Sequence, residues 1–176
     1  MPNFKASVRT KLDGLRKYKK ELRGHTETSK RILKRWEQRY AGFLHARFVR
    51  FSKGGGDWRV VKRRRRRGQR GRISRRILYV TGTLLGALKK KSPGPGALRK
   101  FTRWTVTVGY GGRARHPGGK VTVADLASFH QVGAGTLPIR KVIVRPNSEV
   151  IKGFERDADR ELSALSLRTR ILDKVK

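Results

Sequence analysis

The chain has 176 residues, with 46 Lys and Arg against 12 Asp and Glu, for a formal net charge of +34. That length fits one domain of ordinary size, and an apolar fraction of 36% beside 33% charged residues predicts a share of tail or loop that orders on a partner. With no cysteine, disulfides, zinc-finger spacings and thiol nucleophiles are excluded together, and no apolar run reaches the roughly 18–20 residues that span a bilayer.

The charge is concentrated in the middle. From Trp58 to Ala124 there is no acidic residue, and that stretch holds 20 of the 46 cations. Such a field repels copies of itself unless polyanions or acidic proteins neutralise it, so the chain is expected to work in an assembly. The opening Met-Pro-Asn-Phe-Lys lacks the apolar core of a signal peptide, and the expectation is a soluble protein made in the cytosol.

In chain order, residues 4–23 predict a basic helix, with Val8, Leu12, Leu15 and Tyr18 at helical spacing. Gly24 and His25 interrupt it, and Thr26 or Thr28 is positioned to cap a second helix. In that helix, over 26–52, Leu33, Trp36, Tyr40, Phe43, Leu44, Phe48 and Phe51 form one apolar stripe, with Lys30, Arg31, Lys34, Arg35 and Arg39 largely outside it. Gly54-Gly55-Gly56 stops it. In Lys62–Arg76, 10 of 15 residues are basic, and self-repulsion predicts a flexible loop in the free protein.

A short helix is expected over Thr81–Leu88, with Leu84, Leu85 and Leu88 on one face, and a turn at Ser92–Gly96. Phe101–Gly109 predicts one strand, with Trp104, Val106 and Val108 on one side. Val121–Val132 predicts a short helix, Leu137–Val144 a strand of irregular register, and Glu149–Leu165 a last helix carrying Ile151, Phe154, Leu162 and Leu165. The expected fold is α+β in one domain, a small, mainly antiparallel sheet packed by helices. The expected layout is a basic helical extension over 1–25, the domain over 26–165 with an arginine-rich loop at 59–76, and a tail over 166–176.

An enzyme reading fails on inventory. His25, His45, His116 and His130 are scattered, and none stands at metal-ligand spacing with another ligand. Glu155, Asp157, Asp159 and Glu161 lie beside Arg156 and Arg160, where neighbouring charge compensation along one helix explains them. The glycines of Gly111–Lys120 lack phosphate-loop spacing: Ala114 stands in place of the first glycine and Val121 in place of the magnesium-binding Ser or Thr. The basic tract is the one segment with an evident binding chemistry. Lys62, Arg63, Arg64, Arg65, Arg66, Arg67, Arg70, Arg72, Arg75 and Arg76 are expected to meet phosphates or the carboxylates of an acidic partner, since guanidinium forks suit both. No catalytic residue, cofactor or metal is expected.

A series of short motifs occupies the second half: Trp58; Ile77–Gly86, containing Thr81-Gly82-Thr83-Leu84-Leu85; Gly109-Tyr110; Phe129-His130-Gln131-Val132-Gly133; and Leu137-Pro138-Ile139-Arg140. In order and spacing this series resembles the virion morphogenesis, or tail completion, family of tailed bacteriophages and the related neck proteins, over roughly residues 36–165. The arginine tract departs from that pattern, since members commonly carry a shorter, less charged linker there.

The residues themselves suit a scaffold. Thr81 can cap the short helix, His130 is expected in a structural hydrogen bond, and Gly133 and Gly135 permit a tight turn. Pro138 suits the start of a strand or an edge, and Arg140 is expected to reach a carboxylate or carbonyl. The resemblance implies a non-catalytic virion protein, located in the neck or tail and in the host cytoplasm during assembly. Its partners would be copies of itself in a ring, other neck, portal or tail proteins, and packaged DNA, with no membrane or small-molecule substrate. The alternative reading is a ribosomal or other RNA-binding structural protein, which the basicity, the absence of cysteine and the glycine-rich basic loops also suit, and a third is a nucleoid-type or packaging DNA-binding protein.

Overall fold

The computed structural model describes residues 9–12, 14–53, 58, 82–117, 121–134 and 137–175. The longest apolar stripe becomes the spine of the fold. Helix α1 runs Thr26–Ser52, the range the stripe predicts. Leu33, Trp36, Tyr40, Leu44 and Phe48 are buried, and Phe43 and Phe51 pack against them half-buried. No threonine caps its start. The N-cap is His25, without a side-chain bond, and the Ser29 hydroxyl instead donates to the His25 carbonyl at 3.2 Å.

Helix α4, Ser148–Val175, lies along α1. The Trp36 ring stacks on Phe154 with centroids 5.1 Å apart, and the indole Nε1 donates to the Phe154 carbonyl at 2.9 Å. Gly153 makes room for the pairing: a Cβ there would sit 2.8 Å from the Arg39 side chain. The expected helix end near Leu165 and the tail over 166–176 are corrected, because α4 continues to Val175. No Gly or Pro follows Gly153, so nothing in the sequence stops the helix.

The sheet covers α1 from another side. Strands β1 (Arg9–Leu12), β2 (Ala97–Phe101) and β3 (Val106–Tyr110) pair antiparallel in the order β1-β3-β2. Val106, Val108 and Tyr110 of the central strand are buried, and the Tyr110 hydroxyl donates to the Leu84 carbonyl at 3.0 Å. The single strand expected over Phe101–Gly109 is instead a hairpin. The Thr102 N–H donates to the Thr105 carbonyl at 2.8 Å and closes the turn, placing Trp104 at its tip. Helix α2 (Thr83–Ala87) buries Leu84 and Leu85 beneath this sheet.

The basic N-terminal helix expected over 4–23 is the largest correction. Residues 9–12 are strand β1, paired with β3 from Arg9 opposite Gly109 to Leu12 opposite Val106. Gly14–Tyr18 is a 3-10 helix, and hydrogen-bonded turns carry the chain on to Gly24. A helix over 9–12 would leave one edge of β3 without backbone partners, and those bonds outweigh a weak helical spacing. Leu15 and Leu22 are fully buried, so the segment is part of the core.

Helix α3, Val123–Val132, is capped by Thr122, whose hydroxyl accepts from the Asp125 N–H at 3.1 Å. The strand expected over Leu137–Val144 does not form. Side chains take up its backbone groups instead: Gln131 brackets Ile143, Arg47 donates to the Lys141 carbonyl, and Tyr40 donates to that of Val144. The fold is thus α+β, one small antiparallel sheet packed by helices.

Candidate polyanion-binding cleft

The motif residues divide into those that frame the fold and those that lie apart from it. Gln131, on the half-buried side of α3, makes a paired amide contact with one residue of the 137–144 segment. Its Nε2 donates to the Ile143 carbonyl at 2.8 Å, and its Oε1 accepts from the Ile143 N–H at 3.1 Å. Two bonds to a single peptide position imitate one rung of a sheet, which is how this segment holds its place without being a strand.

Gly133 ends α3 at φ +74°, and a Cβ there would come within 2.6 Å of Ile139. Both the backbone angle and the space require glycine. The Arg140 N–H donates to the His130 carbonyl at 2.6 Å, and the Arg140 side chain is buried. Trp58 is buried edge-on against Phe48 and Phe51, and Leu85 is buried in α2. Gly82 is the N-cap of α2, which carries no side-chain cap bond. Pro138 is exposed and precedes no strand. Thr81, Gly135 and the whole tract Lys62–Arg76 lie outside the described residues.

His130 is buried with its Nδ1 unpartnered among the described residues. Burial, reinforced by the Arg140 charge, pushes its imidazole from 6.5 down to about 4. The ring is therefore neutral at physiological pH. Protonation favours the unfolded chain, so stability should be flat above 6.5 and fall as pH drops from 6.5 towards about 4, by about 2–3 kcal/mol in all. Denaturant midpoints taken across that window should show this limb, and His130→Gln should flatten it. A variant with the parent's slope would assign the limb to other groups.

Asp157, Asp159, Glu161 and Glu37 are engaged with other elements of the fold, and not in the way expected. Asp157 and Glu161 do not pair with neighbours along α4. Asp157 receives Arg39 of α1 through two bonds of 2.8 Å, and Glu161 receives Arg31 at 3.0 Å and Arg35 at 2.8 Å. Asp159 accepts from the Tyr18 hydroxyl. Glu37, almost wholly buried, holds Lys34 at 2.9 Å and Arg99 of β2 at 2.8 Å. Three of the 12 carboxylates, Glu37, Asp157 and Glu161, are thereby neutralised between α1, α4 and β2, and a large basic excess is left over.

That excess is most organised in a cleft of about 880 Å³ lined by Arg16, Lys19, Lys20, Arg23, Arg103 and Trp104. The four N-terminal cations stand on the 3-10 helix and the turns after it, where Lys19 N–H donates to the Arg16 carbonyl and Arg23 N–H to that of Lys20. Leu15 and Leu22, fully buried on the other side of these turns, orient the cations outward. Arg103 and Trp104 come from the β2–β3 hairpin tip, and the Arg103 guanidinium lies 5.0 Å from the Trp104 ring centroid. All five cations are exposed. No carboxylate lines the cleft, and among the described residues none of the five makes an ion pair.

Reasoning from the sequence placed the binding chemistry in the arginine tract and missed this cleft. The positions 16, 19, 20 and 23 carried a local signal, since that spacing sets cations on one side of a helical turn. Arg103 carried none, because its neighbours in space are some eighty residues away in the chain. Among the described residues no cluster of His, Asp or Glu is arranged to hold a metal ion, and no helix is long and apolar enough to cross a membrane. Comparisons of the chain with protein-family models, with curated proteins and with solved structures return no match.

Proposed function

We propose that this chain is a structural protein of a tailed-bacteriophage virion, forming a ring at the neck or tail end that completes the tail and joins it to the head. It acts by binding and carries out no turnover. The observation that carries the reading is the ordered motif series, from Trp58 through Thr81–Leu85 and Phe129–Gly133 to Pro138 and Arg140, which resembles that family and which charge alone does not explain. The framing roles of Gln131, Gly133 and the Arg140 backbone support it, since a family series built on scaffold residues is what a non-catalytic protein needs. A ring requires heterologous side-to-side contacts whose rotation closes.

The test is mass photometry and negative-stain imaging of assembled necks or tails containing the chain. Closed rings with several copies are expected. A single copy per particle removes the ring, and co-purification with ribosomal particles selects the RNA-binding alternative. Replacing Arg63–Arg67 by Ser should leave thermal melting unchanged and lower the yield of assembled particles, because the tract needs counter-charge to order. Normal assembly of that variant at every salt concentration would leave the tract without a role.

A further inference from the structure

We infer that the cleft formed by Arg16, Lys19, Lys20, Arg23, Arg103 and Trp104 is a binding site for the phosphodiester backbone of duplex nucleic acid, read without regard to sequence. This goes beyond the ring reading and does not depend on it.

The first argument is the convergence of cations unpaired among the described residues, which also occur singly elsewhere on the surface. Six cations elsewhere in the fold, Lys30, Arg31, Lys34, Arg35, Arg39 and Arg99, have carboxylate partners. The five of the cleft have none among the described residues, although they converge from two separate elements. Like charges gathered this way raise the local potential and favour a polyanion that touches all of them.

The second argument is spacing. Arg16 to Arg23 spans seven residues of helical turn, about 10–14 Å at the usual rise. That length suits two or three consecutive phosphates of one strand, and the open shape of the cleft does not enclose a small ligand.

The third argument separates duplex from single strand. A site for unpaired bases presents a free aromatic face for stacking. Here Trp104 packs against the core on its inner side and carries the Arg103 guanidinium over its ring. The indole is therefore a platform for the cation, not for a base. A guanidinium held over an aromatic ring has fewer orientations open to it, which favours a two-bond grip on a phosphate.

The test measures binding of the full chain to a fluorescent duplex of about 30 base pairs, a thymine oligonucleotide of equal length and poly-glutamate, over a salt series. The cleft variant carries Arg16→Gln, Lys19→Gln, Lys20→Gln and Arg23→Gln. The charge-matched control carries Lys89→Gln, Lys90→Gln, Lys91→Gln and Lys152→Gln, all exposed and outside the cleft. Circular dichroism checks that both fold.

The cleft variant is expected to bind duplex at least about thirtyfold more weakly than the control near physiological salt, with a salt slope lower by about three to four. Arg103→Lys keeps the charge but loses the fork, and should weaken duplex binding several-fold with an unchanged slope. Equal losses in cleft variant and control would reduce the effect to net charge and overturn the site. Tighter binding of the thymine oligonucleotide than of duplex, abolished by Trp104→Leu, would replace the duplex by a stacked single strand. A cleft variant that loses poly-glutamate but not duplex would make the ligand an acidic protein surface.

Discussion

Trp36→Ala is expected to destabilise the protein by about 3–5 kcal/mol, the range for emptying a fully buried aromatic site. The ring is 2% exposed, stacks on Phe154 and donates its N–H to the Phe154 carbonyl. Alanine would remove the packing and the indole bond, while the Phe154 carbonyl keeps its partner within α4, so the emptied site carries the cost. Because the contact joins α1 to α4, the variant should also lose protection of α4 amides in hydrogen exchange. Chemical denaturation read by circular dichroism measures the first effect. A shift below about 1 kcal/mol would mean that α4 does not complete the core.

Glu37→Gln is expected to cost a comparable amount for a different reason. The carboxylate is 1% exposed and holds Arg99, itself 11% exposed, together with Lys34. Burial works against the Arg99 charge, and Glu37 is what opposes it. An uncharged amide of the same shape leaves that guanidinium desolvated without a counter-charge, a loss of about 3–5 kcal/mol where one partner of a buried pair is removed. The double variant Glu37→Leu, Arg99→Leu should recover most of the loss, since an apolar pair of similar volume removes both desolvation penalties. If the double variant is no better than the single one, the pair is not the source of the effect.

How much of this was legible in the sequence depended on how local the determining forces were. Helix α1 could be read to the residue, because 27 positions repeat one stripe without a glycine-rich or proline stop until its end. Helix α3 could be read from its pattern, and the structure places Thr122 as its cap. Strand β1 could not, since four residues carry little periodicity and its conformation is decided by pairing with β3. The stretch Leu137–Val144 alternates like a strand, but the side chains of Gln131, Arg47 and Tyr40 occupy its backbone groups before any neighbour can. The Glu161 and Asp157 pairs were misassigned for the same reason: the cations that reach them are on another helix. The cleft is the extreme case, because its charge is visible in composition while its shape exists only once the hairpin tip meets the N-terminal turns.

The pairing of β1 with β3 and of α1 with α4 has a consequence for synthesis. The first strand finds its partner only after about a hundred further residues have been made, and the Trp36 ring meets Phe154 only once α4 is in place. Loops of that span form slowly, and a nascent chain exposes its aromatic stripe throughout the wait. The part of the core between α1 and α4 cannot close before residue 154 has been made. Until α4 is in place, Arg31, Arg35 and Arg39 also lack the carboxylates of Asp157 and Glu161 that pair with them in the fold. Helix α4 thus closes the aromatic stripe and supplies the counter-charge for three arginines of α1 in one step.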